Sequence, residues 1–309
     1  MFIICLISYF FFSNDQTLFF EIILTNESLL AIFNLVYLVY QIVFHSYFEF
    51  VTTGGAFMDS RIVMVTGGSS GIGLAITSHF LDAGAFVVAL DVSEANLTHC
   101  KSHLSSERLF PLLCDVTQQK DVEHAVAKVL SKFGRIDVLV NNAGGSFGIS
   151  QSIDLIEEAD WEKVVKLNLT GTFLCIKSVL PQMKRQCYGR IVNISSMAGR
   201  GRSVLGGAPY AAAKAGIIGL TRHISMDLGQ YGITINAVAP GTVLSGARVE
   251  DYWRNRKSEA ERQAFLAANP LGRLGTVDDI ADAVLFLSSD KAAYITGAVL
   301  DVNGGSWVG

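Results

Sequence analysis

Tyr210 and Lys214 stand four residues apart in the run Tyr210-Ala211-Ala212-Ala213-Lys214. On an α-helix that spacing is about one turn, so both side chains lie on one face and can converge on one point. A phenol with a pKa near ~10 is a poor proton donor or acceptor at neutral pH, and a fixed cation beside it favours the phenolate. The pair therefore suits proton transfer near neutrality. Alone, it equally describes an ordinary contact on a helix surface. Its weight comes from what precedes it: a glycine-rich turn, an acid after the next strand, and a serine upstream.

The turn is Thr66-Gly67-Gly68-Ser69-Ser70-Gly71-Ile72-Gly73, directly after the apolar run Ile62–Val65 and before an amphipathic stretch. Glycines let the backbone turn tightly and let a pyrophosphate approach the N-terminus of the following helix. Asp91 ends the next apolar run, 18 residues past Gly73. A carboxylate there accepts hydrogen bonds from the adenosine ribose and repels a 2′-phosphate, which favours NAD over NADP. The turn also offers no Arg or Lys to hold that phosphate. Asp91-Val92-Ser93 could alternatively cap a helix.

These residues need a frame. From Arg61 onward, apolar runs at Ile62–Val65, Phe86–Leu90, Leu109–Leu113, Val138–Val140, Arg190–Ile194, Thr234–Val238 and Val299–Val302 alternate with amphipathic stretches. Helices are expected at Gly71–Ala83, Thr117–Lys132, Trp161–Lys184, Tyr210–Gln230 and Val277–Ser288. The alternation predicts an α/β fold: a Rossmann-type, doubly wound parallel sheet of about seven strands with helices on both faces. Strands apolar on both faces suit that arrangement, and the ligand is expected at their carboxyl ends.

The ordered motifs resemble the short-chain dehydrogenase/reductase family over residues 58–309, and not over 1–57. They are the glycine turn, Asp115-Val116 after the third strand, Asn141-Asn142-Ala143-Gly144 after the fourth, and Asn168 in Lys166-Leu167-Asn168-Leu169-Thr170-Gly171. Ser195-Ser196 after the fifth strand, the Tyr210/Lys214 pair and Pro240-Gly241 after the sixth complete the set. The resemblance implies a catalytic set of Asn168, Ser196, Tyr210 and Lys214. Ser196 would hydrogen-bond the substrate oxygen and Tyr210 would exchange its proton. Lys214 would hold the nicotinamide ribose, and Asn168 would place a water behind Lys214. It implies a cofactor site of Gly67, Ser69, Ser70, Gly71, Ile72, Gly73, Asp91, Asp115, Val116, Asn142, Ala143, Gly144, Tyr210, Lys214, Pro240, Gly241, Val243 and Ser245, and no metal. Of the adjacent Ser195 and Ser196, Ser196 is chosen, 14 residues before Tyr210, with one extra residue in the loop Gly199–Pro209. The stretch Leu244–Pro270 is the candidate substrate lid. The strand at Gly297–Gly305 and helix at Val277–Ser288 resemble elements through which the family forms homotetramers.

Composition bounds the alternatives. The 309 residues carry a formal charge of −4, with no basic footprint for nucleic acid. Five scattered cysteines, without a CxxC, read as reduced thiols of an intracellular, cytoplasmic protein. Residues 1–57 hold 11 of the 19 Phe and no Lys, Arg or Pro. No positive n-region marks a secretory signal. A membrane anchor at Leu29–Phe48 comes near the ~20 apolar residues needed, but lacks a positive flank. A mis-assigned start or dispensable extension is the favoured reading of 1–57, with the anchor as the alternative.

The expected function is NAD(H)-dependent hydride transfer to or from a small secondary alcohol or ketone. Residues 210–219 and 236–241 are most similar to 3-oxoacyl-[acyl-carrier-protein] reductases, which usually prefer NADP; Asp91 argues against that choice. A non-catalytic dinucleotide-binding regulator would tend to lose Tyr210 or Lys214, and this chain keeps both.

Overall fold

The computed structural model describes residues 58–201, 206–255 and 257–308. The leader at 1–57 lies outside the described residues, as do residues 202–205 within the loop Gly199–Pro209.

All seven expected strands form: β1 Ile62–Thr66, β2 Phe86–Asp91, β3 Leu109–Leu113, β4 Val138–Asn141, β5 Gly189–Ile194, β6 Ile233–Pro240 and β7 Val299–Val302. They make one parallel sheet in the order β3-β2-β1-β4-β5-β6-β7. Thr66 at the end of β1 is in register with Asn141 at the end of β4. The chain leaves β1 toward one edge and returns at β4 toward the other. That reversal opens a crevice at the carboxyl ends of the two central strands.

The helices are α1 Gly71–Asp82, α2 Glu94–Leu104, α3 Gln119–Phe133, α4 Glu158–Val165, α5 Gly171–Arg185, α6 Ala208–Leu228, α7 Ala247–Asn255, α8 Glu259–Ala267 and α9 Val277–Leu287. Alternate strand residues bury opposite faces. Val63, Val65, Val87 and Val140 pack with Ile76 and Phe80 of α1 and Ile280 and Val284 of α9. Met64, Val88, Leu139 and Ile191 pack with Val126 of α3 and Val179 of α5. Burial on both faces explains why these strands read as continuous apolar runs rather than alternating ones.

The single helix expected over Trp161–Lys184 begins earlier, at Glu158, and is interrupted. Lys166–Thr170 forms a π turn between α4 and α5. This wide turn carries Asn168, which is fully buried. Such turns let a helical residue aim its side chain away from the regular stripe.

A buried polar ladder fixes α6 against the sheet. Asn141 Nδ2 donates to Asn193 Oδ1 at 2.8 Å, Asn193 Nδ2 donates to Thr221 Oγ1 at 2.9 Å, and Thr221 Oγ1 donates to the Ile217 carbonyl at 2.7 Å. Apolar packing alone would let a helix slide on the sheet; these paired groups specify one register, because an unpaired buried polar group is costly. The face of α6 bearing Tyr210 and Lys214 is thereby set relative to β4 and β5.

Candidate active site

A cleft of about 460 Å³ opens at the carboxyl ends of the strands, with the glycine turn and Asp91 at one end and Ser196, Tyr210 and Lys214 in its wall. The turn is locked from β4. Thr66 Oγ1 accepts the backbone N–H groups of Asn142 and Ala143, both at 3.0 Å. Asn142 Nδ2 donates to the Thr66 and Gly67 carbonyls, also at 3.0 Å. Gly67 and Gly71 are left-handed, with φ of 58° and 52°. A Cβ on Gly71 would meet the Ser245 carbonyl oxygen, and one on Gly73 the Gly67 carbonyl oxygen. Bare backbone therefore faces the cleft beside the N-terminus of α1, a cradle suited to phosphate.

Asp91 is 8% exposed and lines the same end. Its carboxylate accepts from the Ser69 hydroxyl and, at 3.0 Å, from the Ser93 backbone N–H. Ser93 in turn caps α2. Asp91 thus forms the turn before α2 and also lines the cleft, so the two readings of this residue are compatible. Asp115 similarly accepts from Thr117 N at 2.9 Å while lining the cleft.

Both serines line the cleft, but they differ in burial and in their hydrogen bonds. Ser195 is buried, and its hydroxyl donates to the Lys214 carbonyl at 2.9 Å. Ser196 lines the cleft, and its Oγ accepts the Ala198 N–H at 3.1 Å. Lys214 Nζ lies 5.6 Å from the centre of the Tyr210 ring. The ammonium donates to the Ile194 carbonyl at 2.7 Å and is only 3% exposed. Burial favours its neutral form and pulls its pKa down to about 7.

Asn168 stands one layer behind. Its Nδ2 donates to the Gly145 carbonyl at 2.9 Å and its Oδ1 accepts the Gly145 N–H at 3.2 Å, so it holds Gly145 by both of its backbone groups. A Cβ on Gly144 would lie 2.5 Å from Asn168 Oδ1 and 3.2 Å from Lys214 Nζ. Asn168 and Lys214 therefore approach Gly144 together.

The other expected residues line the cleft: Ser70, Ile72, Val116, Pro240, Gly241, Val243 and Ser245 with those above. Ser69, Gly73 and Asn168 do not; they hold the wall from behind. Sequence reasoning missed Gly145, Ser146, Met197, Thr242 and Val249, which also line it. Only Val249 carried a signal, as the apolar residue near the start of the expected lid. That lid forms α7 and α8, joined where Arg262 Nη1 donates to the Arg254 and Lys257 carbonyls at 3.0 and 3.2 Å.

A family profile described as enoyl-(acyl carrier protein) reductase matches residues 67–306. The chain belongs to the short-chain dehydrogenase/reductase family. As a member it is an oxidoreductase. It is 38% identical to (2S)-[(R)-hydroxy(phenyl)methyl]succinyl-CoA dehydrogenase subunit BbsD of Thauera aromatica, over 80% of this chain and 97% of that one. It is also 38% identical to 3-oxoacyl-[acyl-carrier-protein] reductase FabG of Thermotoga maritima, over 80% and 98%. The crystal structure of levodione reductase superposes with a TM-score of 0.75 at 35% identity, covering 80% of this chain and 98% of that one.

The buried ammonium carries a stability cost with a defined pH window. Unfolded, Lys214 titrates near 10.5; folded, near 7. Between these values the unfolded chain holds a proton that the folded chain has released, so this group makes stability rise with pH across the window. Lys214→Met should therefore unfold at higher urea than the parent at pH 7, with the margin shrinking as the pH approaches 10, while losing turnover. Urea midpoints at pH 7, 8.5 and 10 test this; a margin that does not shrink contradicts it.

Proposed function

We propose that this protein is an NAD(H)-dependent oxidoreductase that moves a hydride between nicotinamide and a secondary alcohol or ketone. One observation carries the proposal: Ser196, Tyr210 and Lys214 share a cleft whose far end presents Asp91 and, among the described residues, no Arg or Lys. The wall fits a dinucleotide, with the bare glycine turn for its phosphates and the Asp91 carboxylate for its adenosine ribose. When bound, nicotinamide supplies or accepts the hydride.

The chain's own residues manage the substrate oxygen. The Ser196 hydroxyl and the Tyr210 phenol would both donate to the oxygen of a ketone. As hydride reaches the carbon, Tyr210 gives up its proton to that oxygen; in oxidation the proton returns. The Lys214 ammonium favours negative charge on the phenol oxygen and would bond the nicotinamide ribose. Burial lowers the Lys214 pKa, and the Ile194 carbonyl accepts from its ammonium. Asn168, by holding Gly145 beside Lys214 through both its backbone groups, supports a proton path to water from behind the pair.

A second reading is a 3-oxoacyl-[acyl-carrier-protein] reductase that uses NADPH. The FabG relatives favour it. Asp91 argues against it, because a carboxylate where the 2′-phosphate would sit repels that group. A non-catalytic regulator is the poorest fit, since all four catalytic candidates are present.

We assign the cofactor-binding and catalytic domain to residues 58–309, with a cytoplasmic location; any membrane association would belong to residues 1–57. A homotetramer is supported by resemblance and by the exposed apolar side chains of Phe286, Tyr294 and Leu300 around the edge strand β7. No nucleic-acid partner is proposed.

Tyr210→Phe removes only the hydroxyl, so turnover should fall by about 100-fold or more with NAD binding kept. Near-normal turnover would sink the mechanism. The parent should prefer NAD to NADP by kcat/KM, and Asp91→Ala should narrow that ratio; a parent that prefers NADP shows the Asp91 reading to be wrong. A chain beginning at Met58 should fold, sediment as a tetramer and match the activity of the full chain. If it is inactive while the full chain works in a membrane fraction, residues 1–57 are an anchor.

A further inference from the structure

The last residues of the described chain reach the turn after Ser196, the end of β6 and the segment after the lid helices. Asp301, in β7, accepts from Arg200 Nη2 at 3.1 Å, across a side-chain pair only 24% and 12% exposed. The chain then curls back through Gly304 and Gly305, both left-handed with φ of 66° and 83°. Asn303 holds the curl: its Oδ1 accepts Gly305 N at 2.9 Å and its Nδ2 donates to the Trp307 carbonyl at 3.0 Å. The curl lays the Trp307 ring against the Arg200 guanidinium, 4.3 Å from ring centre to Cζ. Arg200 is thus held between a carboxylate and an indole, two partners that suit a planar cation.

Arg200 ends the turn that begins at Ser196. Gly199 N donates to the Ser196 carbonyl at 2.9 Å and Arg200 N to the Met197 carbonyl at 3.0 Å. On its inner side the turn rests on α6, where a Cβ on Gly199 would lie 2.6 Å from the Lys214 carbonyl carbon. On its outer side it meets the tail, where a Cβ on Gly201 would lie 3.3 Å from Trp307 Nε1. The same tail meets the other two places. Gly241 N donates to the Val302 carbonyl at 2.9 Å, at the cofactor end of β6. Leu271 N donates to the Gly304 carbonyl at 3.2 Å, just past the lid helices.

We propose that residues 301–307 form a buckle that positions the Ser196 hydroxyl, with the Arg200–Trp307 stack as its catch. Arg200 and Trp307 are positioning residues; neither lines the cleft. The inference rests on the reading of Ser196 as the hydroxyl that meets the substrate oxygen. Hydrogen bonds within the turn fix its shape, Ser195 anchors its start to β6 and α6, and the approaches of Gly199 to Lys214 and of Gly201 to Trp307 hold the rest of it.

The test uses the full chain with NAD and a panel of cyclohexanol, 2-butanol and ethyl 3-hydroxybutyrate, together with amide hydrogen exchange over residues 196–201. Trp307→Ala should lower kcat by about 10-fold, less than the ~100-fold cost of a full ångström of misplacement, with KM for NAD within about twofold of the parent. Exchange over 196–201 should quicken, and Trp307→Phe, which keeps an aromatic face, should restore both. Arg200→Met combined with Trp307→Ala should cost no more than either change alone. A Trp307→Ala chain with parental kcat and parental exchange overturns the proposal. Ser196→Ala is the control: if it keeps full turnover, the reading of Ser196 fails, independently of what the tail does.

Discussion

The site depends on one costly placement, the burial of the Lys214 ammonium. Its hydrogen-bond partner is the Ile194 carbonyl, and burial alone brings its pKa to about 7. A lysine kept there must be held in place, since given any freedom it would turn to water. The surrounding structure removes that freedom. Ser195 bonds the Lys214 carbonyl, Gly199 packs against its backbone, and the Asn141–Asn193–Thr221 ladder fixes the helix that carries it. Gly144 has no side chain, which leaves room for Nζ and for Asn168 Oδ1.

The sheet order supplies the rest of the geometry. Because the chain departs from β1 to one side and from β4 to the other, the loops after these strands diverge and leave a crevice. Thr66 and Asn142 tie the two strand ends together across it. The glycine turn and Asp91 come from the β1–β2 side, and Ser196, Tyr210 and Lys214 from the β4–β6 side. A dinucleotide fits such a crevice because its two halves need different chemistry: phosphate and ribose recognition at one end, proton handling at the other.

Much of this was legible in the sequence. The five inner strands are buried on both faces and leave unbroken apolar runs, while the edge strands β3 and β7 are only partly buried and were read from their place in the alternation with helices. The glycine turn and the Tyr210/Lys214 pair depend on short spacings within one element, which sequence preserves directly. What stayed hidden depends on long-range contact. Nothing in Lys166–Thr170 announces a π turn, and the bonds Asn168 makes there to Gly145, 23 residues away, left no local trace. Counting favours Ser196 over Ser195; that the Ser195 hydroxyl bonds the Lys214 carbonyl appears only in three dimensions. The pairing of Arg200 with Asp301 spans 101 positions and left no local trace. The Ser69 hydroxyl bonds the Asp91 carboxylate behind the wall, a contact between the glycine turn and the end of β2 that no local pattern announces.

A crystal structure with NAD bound tests the central claim most directly. The adenosine ribose hydroxyls should lie on the Asp91 carboxylate, the pyrophosphate over the 67–73 turn, the nicotinamide ribose on Lys214 Nζ, and the reactive face of the ring toward Tyr210 and Ser196. A dinucleotide bound in the reverse sense, or with its nicotinamide directed away from Tyr210, would contradict it.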